Sequence, residues 1–187
     1  MTKLTILVDM DDTIENLLDE WVHMLNEYHG CRVLTDDIHS WSLHDAFPTL
    51  SEEQVYAPLF TDTLWTHVRP KWDAVEYLKK LMDDGHEVYI VTSSNFKTIY
   101  TKMEAILCRY FPFIKMDHVI VCTNKQMIRG DVMVDDGVHN LLGGEYFKIL
   151  MTAPHNRDYD AEPNGLHRVA GWREAYALIV GYSYAIS

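Results

Sequence analysis

The stretch that most constrains this chain is Leu4 to Thr13, Leu-Thr-Ile-Leu-Val-Asp-Met-Asp-Asp-Thr, where apolar residues lead directly into three carboxylates and a hydroxyl. A continuous apolar run bounded by polar residues reads as a strand buried on both faces, as in a parallel sheet covered by helices. Such a strand delivers Asp9 and Asp11 to the carboxyl edge of the sheet, where open α/β folds keep their chemistry. Carboxylates this crowded repel one another, and a divalent cation is the natural counterweight. Taken alone, the run reads equally well as an acidic turn after a strand, so the rest of the chain has to decide.

With 187 residues, 48% of them hydrophobic, the chain can bury the core of one domain and carry a small insertion. No apolar run approaches the roughly 20 residues needed to cross a bilayer, so no membrane association is expected. Met1-Thr2-Lys3 runs straight into the first strand without a signal or transit pattern, which implies a cytoplasmic protein. Cys31, Cys108 and Cys122 are odd in number, far apart and without zinc-ligand spacing, as expected of reduced thiols. A net charge of −12 argues against a nucleic-acid polymer as partner, since backbone binding needs clustered Lys and Arg. It does not exclude a small anion, because a metal and one or two local cations can reverse the sign inside a cleft.

After Thr13 the period becomes helical, with Ile14, Leu18, Trp21, Leu25 and Tyr28 on one stripe and Gly30 placed to end it. The following forty or so residues contain short apolar clusters, the aromatics Trp41, Phe47, Tyr56, Phe60 and Trp65, and the breakers Pro48 and Pro58. Ser51 and Gln54 form a candidate capping box, and no strand is expected between Ile14 and His67. The α/β rhythm resumes at Arg69-Pro70. Trp72, Val75, Leu78 and Met82 predict a helix ending at Gly85, and Glu87 to Thr92 predicts a buried strand. A helix follows with Phe96, Ile99, Met103, Ile106 and Tyr110 on one face, N-capped by Ser94 or Asn95. Further strands are expected at His118 to Cys122, Val132 to Asp135 and Phe147 to Met151, and a last helix at Trp172 to Val180. Alternating strands and helices imply right-handed crossovers and a parallel sheet with helices on both faces.

Four strand ends then carry complementary groups: Asp9 and Asp11; Thr92 and Ser93; Lys125; Asp135 and Asp136. Each is unremarkable singly, for Asp135-Asp136-Gly137 alone is an acidic turn and Thr92-Ser93-Ser94 a helix start. On one sheet edge they supply acids for a metal, hydroxyls and amides for an anion, and one ammonium. That is a phosphate site containing a nucleophile.

The ordered set resembles the haloacid-dehalogenase superfamily and, within it, the 5′(3′)-deoxyribonucleotidases. Asp9-Met10-Asp11-Asp12-Thr13 matches the superfamily's first motif, Thr92 its second, Lys125 its lysine and Asp135-Asp136 its late acidic motif. The narrower likeness adds the Thr-Ser pair, His155-Asn156-Arg157 and Trp172-Arg173-Glu174, and covers most of the length, with 17–67 aligning poorly. Leu17 stands where that family commonly has an aromatic, and Gly137 where some members have arginine; both positions bear on base recognition.

The resemblance implies a three-layer Rossmann-like core from 1–13 and 69–187 and a small helical cap, 14–68, inserted after the first strand. It implies a Mg²⁺-dependent phosphatase acting on (deoxy)nucleoside monophosphates through an aspartyl-phosphate. Asp9 is then the nucleophile, Asp11 the general acid and base, and Thr92, Ser93 and Lys125 the phosphate ligands. Mg²⁺ is held by Asp9, Asp135 and the backbone carbonyl of Asp11, while Asp136 orients a metal-bound water or Lys125. An aspartate at position 11 favours phosphatase over dehalogenase or ion-pump chemistry. The implied partner is a small phosphomonoester, a nucleotide, and a homodimer is left open. The alternative is a phosphatase of another small metabolite, such as a sugar or cofactor phosphate. A response-regulator receiver fits less well, since the strand before Thr92 ends without an acid. Trp41, Tyr56, Phe60 and Trp65 are candidates for stacking on a base and equally for packing within the cap.

Overall fold

Short apolar strands separated by helices bury both faces of a sheet only when they run parallel, and that arrangement is found. The structure, a computed structural model, describes residues 1–187. Strands β1 (Thr5–Val8), β2 (Glu87–Thr92), β3 (Val119–Val121), β4 (Val132–Asp135), β5 (Phe147–Met151) and β6 (His167–Val169) form one parallel sheet in the order β3-β2-β1-β4-β5-β6. The order reverses at β1, which pairs with both β2 and β4: Val8 lies opposite Ile90 on one side and Val134 on the other. The crevice beyond this switch point is where such sheets bind ligands.

Side chains alternate across the sheet. Ile6, Val8, Ile90, Val132, Val134 and Ile149 face the larger core, packed under helices α4 (Trp72–Asp83), α5 (Ile99–Lys102) with its continuation, and α7 (Trp172–Ala185). Leu7, Val91, Met133 and Leu150 face a smaller cluster with Leu141, Tyr146 and Leu166, covered by the single-turn helix α6 (Val138–Leu141) and loops. Each fully buried Ile or Leu contributes about 1.5–3 kcal/mol relative to exposure, so strands enclosed on both sides read as unbroken apolar runs.

Residues 14–68 contain no strand. They fold into α1 (Leu17–His29), α2 (Glu52–Tyr56), α3 (Asp62–His67) and short 3₁₀ turns. Gly30 ends α1 in the left-handed conformation, and Ser51 and Gln54 cap α2 reciprocally. The segment leaves and rejoins the sheet domain side by side. Glu15 bridges Pro70 antiparallel, Asn16 N donates to Arg69 O (2.9 Å) and Lys71 N to Ile14 O (2.9 Å). It rests on the α5 region, where Thr101 Oγ1 donates to Asp62 Oδ1 (2.5 Å) and Thr98 Oγ1 to Leu59 O (3.1 Å).

Several local expectations change. The helix after Thr92 is regular only from Ile99, and Asn95 caps the turn that leads into it, its Oδ1 accepting from Lys97 N (2.8 Å) and its carbonyl from Ile99 N (3.0 Å). Phe96, left outside the helix, is 96% exposed. From Met103 to Cys108 the helix widens to π geometry. Trp72 is 71% exposed, because α4 buries the stripe Ala74, Leu78 and Leu81 instead. Finally, β6 extends the sheet beyond the strands expected, and α7 runs five residues past Val180 to Ala185.

Candidate active site

The acid loop follows β1 directly. Asp9 N donates to Val134 O (2.9 Å), which extends the ladder one residue and holds Asp9 beside the end of β4. The chain then turns sharply: Asp12 sits at φ 53°, a left-handed conformation that Asp tolerates better than most residues. Its half-buried carboxylate accepts from Leu18 N at Oδ1 (3.0 Å), at the start of α1. Thr13 closes the turn. Its hydroxyl donates to Asp136 Oδ1 (3.3 Å) and its carbonyl accepts the indole N–H of Trp172 (2.8 Å).

Lys125 lies at the centre of the site. Its buried ammonium contacts Asp9 Oδ1 at 2.5 Å and Asp135 Oδ2 at 2.8 Å. Burial opposes its charge, but Asp9 and Asp135 outweigh burial and hold its pKa above the usual lysine range. Asp135 Oδ1 accepts from Gly137 N (2.7 Å) and Asn140 Nδ2 (3.0 Å). Gly137 keeps this corner open: a Cβ there would lie 2.8 Å from Asn140 Nδ2 and 3.0 Å from Asp135 Oδ1, so a side chain would displace the Asn140 amide. Asp136 takes Thr13 on one oxygen and His155 Nε2 on the other (3.1 Å).

Asp9, Asp135 and Asp136 are buried and bring carboxylate oxygens within 4.8 Å of one another. Burial, and then the charge of Asp135, push Asp9 well above the usual carboxylate range and Asp136 up to about 7. With all three ionised, three carboxylates less the one ammonium leave two negative charges. An oxygen-only donor set with that surplus suits a hard divalent cation such as Mg²⁺, which would hold these acids ionised.

Thr92 is buried, and Ser93 Oγ lies 3.3 Å from Thr123 Oγ1 on the cavity wall. Ser94 adds an enclosed hydroxyl with no partner. The sequence-level candidates thus fall into two groups. Asp9, Lys125, Asp135 and Asp136 form one cluster. Asp11, Thr92 and Ser93 gather instead around a residue the sequence reading missed, Lys102. Its ammonium lies 2.6 and 2.7 Å from the two Asp11 oxygens and 3.0 Å from Thr92 Oγ1.

A second missed residue is Glu15, fully buried with neither oxygen hydrogen-bonded to a conventional donor. Burial, then the charge and hydrogen bond of Asp11, hold its carboxyl well above the usual range. Its unpartnered carboxyl lies next to that of Asp11, whose Oδ1 is likewise enclosed. The contact of His155 with Asp136 was also not foreseen. Lys102 left a trace in the sequence, standing between Ile99 and Ile106 at helical spacing on an otherwise apolar face; Glu15 left none.

A cavity of about 470 Å³ opens between these strand ends and residues 14–68, within the usual range for small-molecule sites. Asp9, Asp11, Lys125 and Asp136 line its polar end; Leu17, Trp41, Tyr56, Phe60 and Trp65 line the other. Trp41 meets the rings of His139 and His155 edge-on at 4.4 and 5.0 Å. Trp65 is committed to packing, with its indole N–H on Leu59 O (3.2 Å).

Comparison with known proteins follows the same lines. Residues 3–184 match the family model described as 5′ nucleotidase, deoxy (pyrimidine), cytosolic type C protein. A 5′(3′)-deoxyribonucleotidase of Bacillus subtilis is 36% identical over 174 residues, 92% of this chain and 96% of that protein. One from Clostridium acetobutylicum is 30% identical over 178 residues, 95% and 96% of the two chains. Among solved structures, a HAD family hydrolase from Deinococcus radiodurans with bound phosphate and sodium superposes with a TM-score of 0.64 at 14% identity, covering 95% of each chain, a likeness of fold.

Proposed function

The chain belongs to the 5′ nucleotidase, deoxy (pyrimidine), cytosolic type C family, and on that premise we propose that it is a Mg²⁺-dependent phosphatase of (deoxy)nucleoside monophosphates working through an aspartyl-phosphate. The observation that carries the reading is Lys125 held between Asp9 and Asp135 at the floor of an aromatic-walled cavity.

In the first step an Asp9 carboxylate oxygen bonds to phosphorus as the bond to the ribose oxygen breaks. The Asp11 carboxyl gives its proton to that leaving oxygen. In the second step water attacks the phosphorus of the acyl-phosphate, Asp11 takes its proton, and the bond to Asp9 breaks to release phosphate. Thr92 and Ser93 donate to phosphoryl oxygens, and Lys125 neutralises charge growing on them. Asp9, Asp135 and the Asp11 carbonyl would hold Mg²⁺, with Asp136 beside them, and the ion would supply charge neutralisation. Residues 14–68 act as a cap that excludes water, with Trp41, Tyr56 and Phe60 offering faces to a base. No helix of the chain is long and apolar enough to cross a membrane, and all three cysteines are unpaired, which suits the cytoplasm.

The test is turnover of deoxynucleoside monophosphates, ribonucleotides and sugar phosphates with Mg²⁺. The nucleotides are expected to be hydrolysed and the Asp9→Asn protein to be folded and inactive. Turnover of a sugar phosphate with no activity on any nucleotide overturns the substrate; activity in Asp9→Asn overturns the nucleophile.

A further inference from the structure

The Lys102 side chain is fully buried and stands in a helix stripe otherwise filled by Ile99, Met103 and Ile106. Enclosing an ammonium costs several kcal/mol, whereas a leucine or methionine at this place would fill the same space without that cost. All its polar contacts lie on two strand ends: both Asp11 oxygens, Thr92 Oγ1 at 3.0 Å and Ser93 O at 3.4 Å. The Trp65 ring, which comes from residues 14–68, lies against the same ammonium at 4.7 Å from its centroid. The helix departs to π geometry at the next residue, Met103, an irregularity frequent at functional sites.

These contacts have two chemical consequences. The first concerns Asp11, which sits two residues from Asp9 yet makes no contact with Lys125. Lys102 holds its carboxyl outside the group of Asp9, Asp135 and Asp136 oxygens that lie within 4.8 Å of one another. The second concerns Thr92. A hydroxyl has one proton and two lone pairs, and Lys102 donates into one of the lone pairs. The Thr92 proton, now directed at Ser93 O (3.2 Å), is thereby left free to turn to a phosphoryl oxygen.

We propose that Lys102 is a positioning residue for proton transfer: it fixes the Asp11 carboxyl where the leaving oxygen departs and aims the Thr92 hydroxyl at the phosphoryl group, with Trp65 carrying this arrangement into the cap. The inference rests on Asp11 being the general acid proposed above.

The experiment exploits the leaving group. A nucleotide leaves as an alkoxide that needs a proton, whereas p-nitrophenyl phosphate leaves as a stable phenolate that does not. The ratio kcat/KM covers the steps up to phosphoenzyme formation, so it isolates acid catalysis from the later hydrolysis. Measured on Lys102→Met and Asp11→Asn with Mg²⁺, kcat/KM for a deoxynucleoside 5′-monophosphate is expected to fall by roughly a hundredfold or more. The fall for p-nitrophenyl phosphate is expected to stay under about tenfold. If Lys102→Met does not fold by circular dichroism, Lys102→Gln, which keeps a donor for Thr92, carries the same comparison. Equal losses on the two substrates for the Lys102 variant, with Asp11→Asn still discriminating, would overturn the role of Lys102 alone. Equal losses in Asp11→Asn as well would overturn the assignment of Asp11 as the acid, and the inference with it.

Discussion

Two tryptophans at helix N-termini make opposite predictions. Trp172, in the first turn of α7, is fully buried; its indole N–H donates to Thr13 O at 2.8 Å and its backbone N–H to Asp73 Oδ2 at 2.9 Å. Thr13 is also fully buried, so this indole is what its carbonyl has in place of water. Trp172→Phe removes the donor and part of the ring volume. Orphaning a buried carbonyl costs about 1–3 kcal/mol, and the lost volume adds a cavity cost of about 1 kcal/mol. The sum is about 2–4 kcal/mol, which at roughly 2–4 °C per kcal/mol for a chain of this size lowers the melting temperature by about 4–16 °C. Because Thr13 also hydrogen-bonds Asp136, the looser turn should lower kcat more than it raises KM. Trp72, 71% exposed and meeting Tyr110 edge-on at 6.0 Å, supplies the control. Trp72→Phe is expected within about 0.5 kcal/mol of wild type. Thermal melts of both variants decide the matter. A Trp172→Phe protein that melts with the wild type, or a Trp72→Phe protein that falls as far, would refute the reasoning.

His86 is buried, with Nδ1 accepting from Leu4 N (3.2 Å) and Nε2 unpaired; burial lowers its pKa from 6.5, against an opposing pull from Asp84. A base depressed by folding contributes stability that is complete above its unfolded pKa and is lost as pH falls below it, so acidification below pH 6.5 should destabilise the protein. Urea midpoints for wild type and His86→Gln should diverge across that window, and parallel curves would sink the idea. Metal binding has its own readout in stability. At a hundredfold excess over its dissociation constant Mg²⁺ should add about 2.7 kcal/mol, a rise in melting temperature of roughly 5–11 °C. Asp135→Asn should abolish the rise, and an unchanged shift in that variant would place the metal elsewhere.

How much of this was legible in the sequence depended on whether the responsible contacts were local. Strands β2, β4 and β5 could be bounded to the residue because each is dominated by apolar residues buried on both faces of the sheet, with Lys148 the one charge inside β5. The three-residue β6, His-Arg-Val, carries no such run and exists because the edge of β5 offers it a ladder. Asp9, Lys125 and Asp135 were legible because a parallel sheet places all its strand ends on one edge. Trp72 and Phe96 were assigned inward because their spacing fitted a helix, but a helix start fixes which side of the stripe is buried, and spacing alone does not. Lys102 meets Asp11 across 91 residues, a contact made only when the chain folds, and Glu15, though four residues from Asp11, is buried only by the folded surroundings.

The acid run that opens the chain is a cluster only in one dimension. In the fold the left-handed turn at Asp12 separates its members, and each of two buried lysines takes one acid: Lys125 holds Asp9, and Lys102 holds Asp11. The two pairs then differ in what surrounds them. Around Asp9 stand Asp135 and Asp136, so one ammonium faces three carboxylates and the deficit has the size and sign of a divalent cation. Around Asp11 stand Lys102, Thr92 and the buried Glu15, whose carboxyl is held well above the usual range by burial and by Asp11 itself. The fold thus gives two acids, separated in the chain by Met10 alone, different surroundings: one meets an ammonium shared with Asp135, the other an ammonium shared with Thr92.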